Sequence, residues 1–401
     1  MKSINKYINK IAIIGKGTAG CMAATFFRTR TSAEIDWYFD PSTPAQSVGE
    51  GSTLPFPKSL FTDLNIGYAA LESVGGTIKK GIRKIDYAGA GDYLHEFPMG
   101  SSAVHFSASQ LQGLTEKILT KRGVNIIDKK IESHDDIDAD YIIDCSGRPS
   151  SFDDCQLAEY TIPNAAYVVQ CPWPGPAFDY TMTIARPFGW VFAIPLRDRV
   201  SVGYLYNEKL NTKEQIAEDI KEVTKNLHVE PEGFPNSFSF QSYYRKENFS
   251  NRVTYNGNAS FFLEPLEATS VGFIDEINMW TYKMMNNDLP IVAANAEYTR
   301  EIKSIEHMIM LHYYAGSNFN TPFWELGKQK GEESTKEMVT NNKFRKILKQ
   351  AIECYTEPEF GKVLESQEYG QWPAFSYYQN LVGLDILRDV DNLVRNYDNG
   401  L

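Results

Sequence analysis

The chain has 401 residues, of which 42% are hydrophobic and 13% aromatic, and it carries a formal net charge of −11. These values are typical of a globular protein with one large domain or two closely packed ones, and they exclude a disordered chain. The acidic balance and the lack of a basic stripe argue against nucleic acid as a partner, because nucleic-acid affinity depends on clustered Lys and Arg.

The cysteine and hydropathy patterns favour a cytoplasmic protein. Five dispersed cysteines without CxxC spacing predict reduced thiols rather than a disulfide framework. The histidines show no metal-ligand spacing, so no metal site is predicted. The apolar stretch at 11–14 is too short for a signal peptide and is typical of a buried strand. No run of about 18 apolar residues occurs, so no membrane partner is predicted.

The first 150 residues alternate strand and helix signals, which predict a sheet of parallel strands. Ser107 and Gln110 predict a capping box at the start of a helix, and Gly123 its left-handed cap. The strand signals lie at 11–14, 34–39 and 141–143, and a helix signal lies at 19–28.

The second half of the chain changes character. Aromatic and β-branched residues are frequent at about 160–265 and predict a second sheet, with a helix capped by Thr212 and Gln215. From about 270 the pattern is helical. We therefore predict an α/β fold, α+β overall, with a module at 1–270 that contains the second sheet. A mainly helical part at 271–401 packs with it as one unit.

A dinucleotide fingerprint follows the first strand. Gly15, Gly17 and Gly20 are spaced as GxGxxG, with Thr18 and Ala19 between the last two. Glycine permits a tight turn and a close approach of the backbone to a pyrophosphate at a helix N-terminus. Asp40 follows the second strand, where a carboxylate accepts hydrogen bonds from a ribose. The alternative is a structural glycine turn, and this motif does not distinguish FAD from NAD.

Six further segments are recognisable along the chain: SVGEGSTLP (47–55), VHFSASQL (104–111), DYIIDCSG (140–147), GWVFAIPL (189–196), FFLEPLEATSVGFI (261–274) and HYYAGSNFNTPFW (312–324). They occur in the order found in flavin-dependent halogenases of the tryptophan-halogenase type, which the chain resembles over about residues 10–325. One short viral branch of that family is similar in length, and this chain is a candidate member of it. The resemblance implies a glutathione-reductase-type FAD-binding Rossmann-like domain and a substrate-facing helical part. It also assigns Gly49 and Ser52 to the cofactor site.

The resemblance also implies two catalytic residues. Lys79 aligns with the family's catalytic lysine, whose ammonium holds hypohalous acid or a haloamine near the substrate. The alternatives are Lys80, if the register slips by one, or a surface charge run. Glu267 matches the catalytic glutamate, which stabilises the cationic ring intermediate and takes its proton. The alternative is that Glu264 and Glu267 are ordinary polar residues beside a turn.

Four residues of the segment at 189–196 form a predicted gate between the flavin and the substrate. Large rigid side chains keep the organic substrate from the flavin while a halide or hypohalous acid passes. Without the resemblance, the two aromatic residues are simply strand core. The residues are Trp190, Phe192, Ile194 and Pro195, with Phe192 at the position of the family's second tryptophan.

Backbone amides at Thr269 and Ser270 are expected to contact the halide, because successive N–H groups form an anion site. The family normally has glycine where this chain has Ser270. Either the turn is reshaped or its backbone is not left-handed, since that conformation costs about 1–2 kcal/mol without glycine. We therefore expect bromide or iodide, which are easier to oxidise, to be preferred over chloride.

The predicted function is a halogenase that uses FADH2 from a separate flavin reductase, with O2 and halide, on an aromatic or electron-rich small molecule. No second dinucleotide fingerprint is evident for a bound nicotinamide. A monooxygenase that inserts oxygen directly, and an inactive flavin-binding relative, are the alternatives. Halide dependence of the product separates the three. The oligomeric state stays open, a homo-oligomer included.

Overall fold

The computed structural model describes residues 8–43, 50–89, 91–173, 175, 177–356 and 368–400. They form two compact units, each assembled from separate stretches of chain. The first unit comprises Met1–Ile78, Ala103–Leu157 and Ser242–Thr299, and the second comprises Lys79–Ser102, Ala158–Gln241 and Arg300–Leu401. The module boundary predicted at 270 falls inside the first unit.

The strands follow one another from the N-terminus to residue 262. They are β1 (Lys10–Ile14), β2 (Glu34–Phe39), β3 (Glu50–Gly51), β4 (Thr77–Lys79), β5 (Gly81–Ile85), β6 (Tyr93–Glu96), β7 (Ala103–Phe106), β8 (Asn125–Asp128), β9 (Tyr141–Asp144), β10 (Cys155–Leu157), β11 (Ala165–Pro172), β12 (Thr181–Arg186), β13 (Gly189–Pro195), β14 (Arg199–Tyr206), β15 (Glu232–Ser239), β16 (Tyr243–Arg245), β17 (Val253–Tyr255) and β18 (Phe261–Phe262).

Helices dominate the chain after residue 268, as the sequence predicts. The helices are α1 (Thr18–Arg30), α2 (Pro55–Leu64), α3 (Ala108–Lys121), α4 (Lys213–Asn226), α5 (Thr269–Met285), α6 (Ile291–Ala315), α7 (Pro322–Met338), α8 (Asn342–Thr356), α9 (Ala374–Gly383) and α10 (Leu387–Asp398). No helix in the described part of the chain is long and apolar enough to cross a membrane.

The first unit is built on a parallel sheet with strand order β17-β9-β1-β2-β8. The predicted strands and parallel pairing are confirmed: Ile11 pairs with Ile35 on β2 and with Tyr141 on β9. β1, α1 and β2 form a βαβ unit, which is why the loops after β1 and β2 meet at one edge of the sheet. Two three-stranded sheets, β3-β7-β4 and β10-β16-β18, complete the strand pairing.

The second unit is built on a seven-stranded sheet with order β15-β11-β14-β13-β12-β5-β6. The predicted second sheet is therefore confirmed for 165–239, but it also recruits β5 and β6 from a stretch far earlier in the sequence. α4 covers one face, where Ile216, Ile220 and Val223 pack against alternate residues of β11 to β14. Arg186 on β12 fixes this helix through Asp219 and Glu222, at 2.6 and 2.7 Å.

The two predicted capping boxes have different outcomes. The box of Thr212 and Gln215 is present in both directions. The prediction of a capping box at Ser107 and Gln110 is wrong, because Ser107 caps α3 without a side-chain cap hydrogen bond. Its backbone N–H already donates to the carbonyl of Val74, and its hydroxyl lies 3.1 Å from that of Ser109. Gly123 does adopt the predicted left-handed conformation, with φ of 82°.

Candidate functional site

The glycine turn after β1 is dictated by backbone packing. Gly15 has φ of 98°, and a Cβ there would lie 2.2 Å from the carbonyl oxygen of Cys145. A Cβ at Gly20 would lie 2.0 Å from the carbonyl oxygen of Gly15. A Cβ at Gly17, by contrast, would meet nothing within 4 Å. Two glycines therefore hold the turn closed, and the third leaves space beside the start of α1.

The start of α1 has the character of an anion site. Gly17 caps the helix with no side-chain cap hydrogen bond. Thr18, Ala19 and Gly20 form the first turn, where backbone N–H groups and the helix dipole favour negative charge. A Cβ at Gly257 would lie 2.5 Å from the Cβ of Ala19, so a fourth glycine supports this turn. The sequence analysis missed Gly257, because it lies 237 residues beyond the fingerprint and in no recognisable motif.

Asp40 and Ser52 have local partners. Asp40 directly follows β2, and its carboxylate accepts hydrogen bonds from the hydroxyl and backbone N–H of Ser42 at 2.6 and 2.8 Å. The hydrogen bond from the Ser42 hydroxyl is the main cause that lowers the pKa of Asp40. Ser52 is buried, and its hydroxyl bonds to the backbone N–H and carbonyl of Val104. Their cofactor contacts stay predictions, and Gly49 lies outside the described residues.

The two candidate lysines lie in opposite environments of the second unit. Lys79 ends β4 and is 0% exposed, with its Nζ 5.7 Å from the centroid of the Phe97 ring. The Lys80 side chain is 55% exposed and forms a 2.5 Å ion pair with Asp179. Lys80 therefore has the properties of a surface charge, whereas burial of an ammonium is costly and rare.

Glu267 lies in the turn between β18 and α5 in the first unit. It is 1% exposed, and Glu264 is 0% exposed, so neither is an ordinary solvated residue of a surface turn. The next residue, Ala268, has φ of 55° and ψ of 29°, the left-handed conformation. An alanine there costs about 1–2 kcal/mol. Strained residues of this kind cluster at functional sites.

Thr269 and Ser270 are the first two residues of α5. Ser270 is therefore right-handed and carries no left-handed strain. No side-chain cap bond forms at this helix start, where backbone N–H groups favour an anion. The left-handed residue of the segment is Ala268, two positions earlier.

The predicted gate residues lie on β13 in the second unit. Trp190, Phe192 and Ile194 share one face of the strand, because Val191 and Ala193 pack on the opposite face against the core with α4. The rings of Trp190 and Phe192 are 6.4 Å apart. A Cβ at Gly203 on β14 would lie 2.1 Å from the Phe192 ring, so glycine makes room for it. Pro195 ends the strand and is buried.

The family model described as tryptophan halogenase matches residues 10–114 and 101–385. The chain belongs to the tryptophan halogenase family. It is thus an enzyme, a flavin-dependent oxidoreductase. It is 22% identical to tryptophan 7-halogenase RebH from Lentzea aerocolonigenes, over 95% of this chain and 90% of that protein.

Solved structures of tryptophan halogenases and other flavin-dependent halogenases have the same fold. A flavin-dependent halogenase from Xanthomonas campestris superposes with a TM-score of 0.77 at 18% identity, covering 98% of this chain and 96% of that one. A tryptophan halogenase from Shewanella frigidimarina also gives 0.77 at 18% identity, covering 99% and 95%. The predicted mixed α/β fold with a Rossmann-like sheet is therefore confirmed.

Family membership implies the use of FAD, and the first unit fits a dinucleotide. The glycines that close the turn after β1, the space beside Gly17 and the start of α1 suit a pyrophosphate. This fit rests on Gly15, Gly17 and Gly20, and extends to Gly257, which keeps α1 close to the loop after β17.

Proposed function

We propose that this member of the tryptophan halogenase family halogenates an electron-rich aromatic small molecule in the cytoplasm. It would use FADH2 from a separate flavin reductase, O2 and a halide. The observation that carries the proposal is the complete burial of Lys79 beside the exposed Lys80, in the segment where the family resemblance implies the catalytic lysine. Tryptophan halogenases among its relatives make an indole a sensible first substrate to test.

The first unit supplies the cofactor site in this proposal. Thr18, Ala19 and Gly20 at the start of α1 would bind the pyrophosphate of FAD, and Asp40 its ribose. Reduced FAD, when bound, supplies the two electrons with which O2 oxidises halide to hypohalous acid, with water as the other product. Backbone amides of Thr269 and Ser270 would hold the halide.

Lys79 would then hold the electrophilic halogen. Its ammonium donates a hydrogen bond to the oxygen of hypohalous acid, which makes that oxygen a better leaving group. The aromatic carbon forms a bond to halogen, the halogen–oxygen bond breaks, and the oxygen leaves as water with a proton donated by the Lys79 ammonium. Lys79 regains a proton before the next turnover. A buried lysine suits this role because competing bulk water is excluded from its ammonium.

Glu267 would complete the substitution. Addition of halogen leaves a cationic ring, and a buried carboxylate stabilises that cation strongly. The ring recovers its aromaticity when the proton on the halogenated carbon moves to the Glu267 carboxylate. Trp190, Phe192, Ile194 and Pro195 would keep the organic substrate away from the flavin, so that halogen rather than oxygen is transferred.

The test is a product assay with FAD, a flavin reductase, NADH, O2 and an indole or phenol, with chloride, bromide or iodide alone and in competition. We expect halide-dependent product, with bromide and iodide preferred because they are easier to oxidise. Lys79→Met and Glu267→Gln should each lower kcat by about 100-fold or more. The matched control Lys80→Met removes an exposed charge one residue away and should retain parent activity.

Other outcomes identify the other functions. Hydroxylated product without halide would show a monooxygenase, and bound flavin without any product would show an inactive relative. An equal loss of kcat in Lys79→Met and Lys80→Met would contradict the assignment of Lys79 as the catalytic lysine. Chlorination that outruns bromination at equal halide concentration would overturn the halide preference.

A further inference from the structure

Four residues form one cross-strand row on the large sheet of the second unit. Lys84 on β5 pairs with Thr183 on β12, and Thr183 pairs with Phe192 on β13. Tyr93 on β6 continues the row beyond Lys84. Paired residues of neighbouring strands place their side chains on the same face of the sheet. Lys84 and Thr183 therefore lie on the face that carries the predicted gate.

The opposite face of these strands packs against the core that includes α4. Met182 and Ile184, which flank Thr183, belong to the core cluster that includes α4, and Ile85 packs against it. Side chains alternate between the faces of a strand, so Thr183 and Lys84 point away from that core.

Both polar residues are buried where a sheet usually carries apolar side chains. Lys84 is 0% exposed and Thr183 is 1% exposed. The Thr183 hydroxyl has no hydrogen-bond partner among the residues that the structure describes. A buried hydroxyl left in this state costs about 1–3 kcal/mol, so a ligand that accepts its hydrogen bond would recover that free energy.

The two ends of the row are fixed. The Tyr93 hydroxyl donates to Oδ1 of Asn380 on α9 at 2.9 Å, and the Tyr93 ring packs against Gly383 of the same helix. At the other end, the Phe192 ring fills the space left by Gly203. Thr183 and Lys84 lie between these anchored aromatic rings, so a ligand on this face would meet a hydroxyl donor and a cation bounded by aromatic side chains.

We propose that Thr183 and Lys84 form a specificity subsite for an anionic oxygen of the aromatic substrate, a carboxylate or an ionised phenol. The inference rests on the proposed gate role of Phe192. The Thr183 hydroxyl donates a hydrogen bond to this oxygen, and the Lys84 ammonium stabilises its charge. In a buried site both interactions are stronger than in water, so a neutral analogue binds more weakly.

The experiment measures binding by calorimetry, with oxidised FAD and without halide, so that it does not depend on halogenation. The probes are indole-3-acetate with indole-3-acetamide, and 4-nitrophenol with 4-nitroanisole, each pair compared at about pH 8.5, where both acids are ionised and a lysine of ordinary pKa keeps its charge. The parent should bind at least one acidic member about tenfold or more tightly than its neutral analogue. The pair that shows the preference identifies a carboxylate or a phenolate.

The variants Lys84→Met and Thr183→Val should reduce that preference to less than about threefold, chiefly by weakening the acid. Thr183→Ser keeps the hydroxyl and should retain the preference, and Lys80→Met serves as a surface control. If Lys84→Met does not fold, the contrast between the two Thr183 variants decides. Equal affinity of the parent for both members of each pair would overturn the subsite, as would equal losses for acid and neutral analogue. Failure of halogenation alone would leave this result intact.

Discussion

Ala268 is the residue at which local conformation and proposed chemistry meet. It is left-handed, it follows the buried Glu267, and it precedes the first turn of α5. The sequence analysis left two alternatives for Ser270, where the family usually has glycine: a reshaped turn or a backbone that is not left-handed. In the structure the left-handed residue of this segment is Ala268, and its place depends on where the helix begins rather than on any propensity of alanine.

Ala268→Gly should therefore stabilise the protein. Glycine adopts φ of 55° without a Cβ clash, which removes the conformational strain of Ala268. This gain in folding free energy exceeds the additional backbone entropy that glycine loses on folding by about 0.5–1 kcal/mol. Ala217→Gly inside α4 is the matched control and should destabilise by about 1 kcal/mol. Urea denaturation gives both free energies of unfolding. A loss of stability in both variants would show that Ala268 is not strained.

At the scale of elements, identical sequence signals at two helix starts have different outcomes. The Thr212 hydroxyl accepts a hydrogen bond from the backbone N–H of Gln215 at 3.3 Å. The backbone N–H of Thr212 donates to Oε1 of Gln215 at 2.8 Å. Ser107 has the same spacing to Gln110, but the carbonyl of Val74 already accepts its N–H. Val74, which is distant from Ser107 in the sequence, thus prevents this capping box from closing.

This contrast yields a prediction for the replacement of each helix-capping residue, Thr212 and Ser107, by alanine. Thr212→Ala should destabilise the protein by about 1 kcal/mol, because an N-terminal N–H of α4 loses its acceptor. Ser107→Ala should cost less than half as much, because no cap bond is lost. Thermal and urea unfolding of the two variants provide the comparison. Equal destabilisation would mean that Ser107 does cap α3 in solution.

The strand that carries the predicted gate residues, β13, is positioned by neighbouring elements. The turn before β13 is held by two bonds from the start of α7: Trp324 Nε1 donates to the carbonyl of Arg186 at 2.7 Å, and the Thr321 hydroxyl to that of Pro187 at 2.6 Å. The Arg186 side chain meanwhile binds α4. Such support keeps Trp190 and Phe192 in one geometry, which a gate requires.

At the scale of the whole molecule, one buried carboxyl links stability to pH. Glu306 is 3% exposed, and Oε1 of its side chain accepts the N–H of Tyr160 at 2.8 Å. Burial raises its pKa from 4.5 to about 7, although the backbone hydrogen bonds oppose this. Between pH 4.5 and about 7 the folded state keeps the Glu306 proton that the unfolded state has released. The free energy of unfolding therefore falls as pH rises through this window.

Glu306→Gln should flatten that dependence. The amide keeps an acceptor for the Tyr160 N–H but does not ionise, so the variant should avoid a loss of up to about 3 kcal/mol between pH 5 and 8. Urea titrations at several pH values measure it. Glu333→Gln, at an exposed site, should follow the parent. Glu337 will not interfere, since hydrogen bonding to His307 lowers its pKa and moves its effect below pH 4.5. An unchanged slope in Glu306→Gln would contradict the linkage.

The sequence by itself determined the elements whose signals are local. The βαβ fingerprint with Gly15, Gly17 and Gly20, the strands β1, β2 and β9, and the helical part after about residue 270 follow from period, glycine chemistry and family motifs. Tertiary structure alone decided the rest. It placed β5 beside β12, which brought Lys84 to the face of Phe192, and it buried Lys79 while exposing Lys80. It also set Gly257 against Ala19. Burial and the pairing of distant strands depend on the whole chain. Two lysines that are adjacent in the sequence therefore differ in exposure, Lys79 being buried and Lys80 exposed.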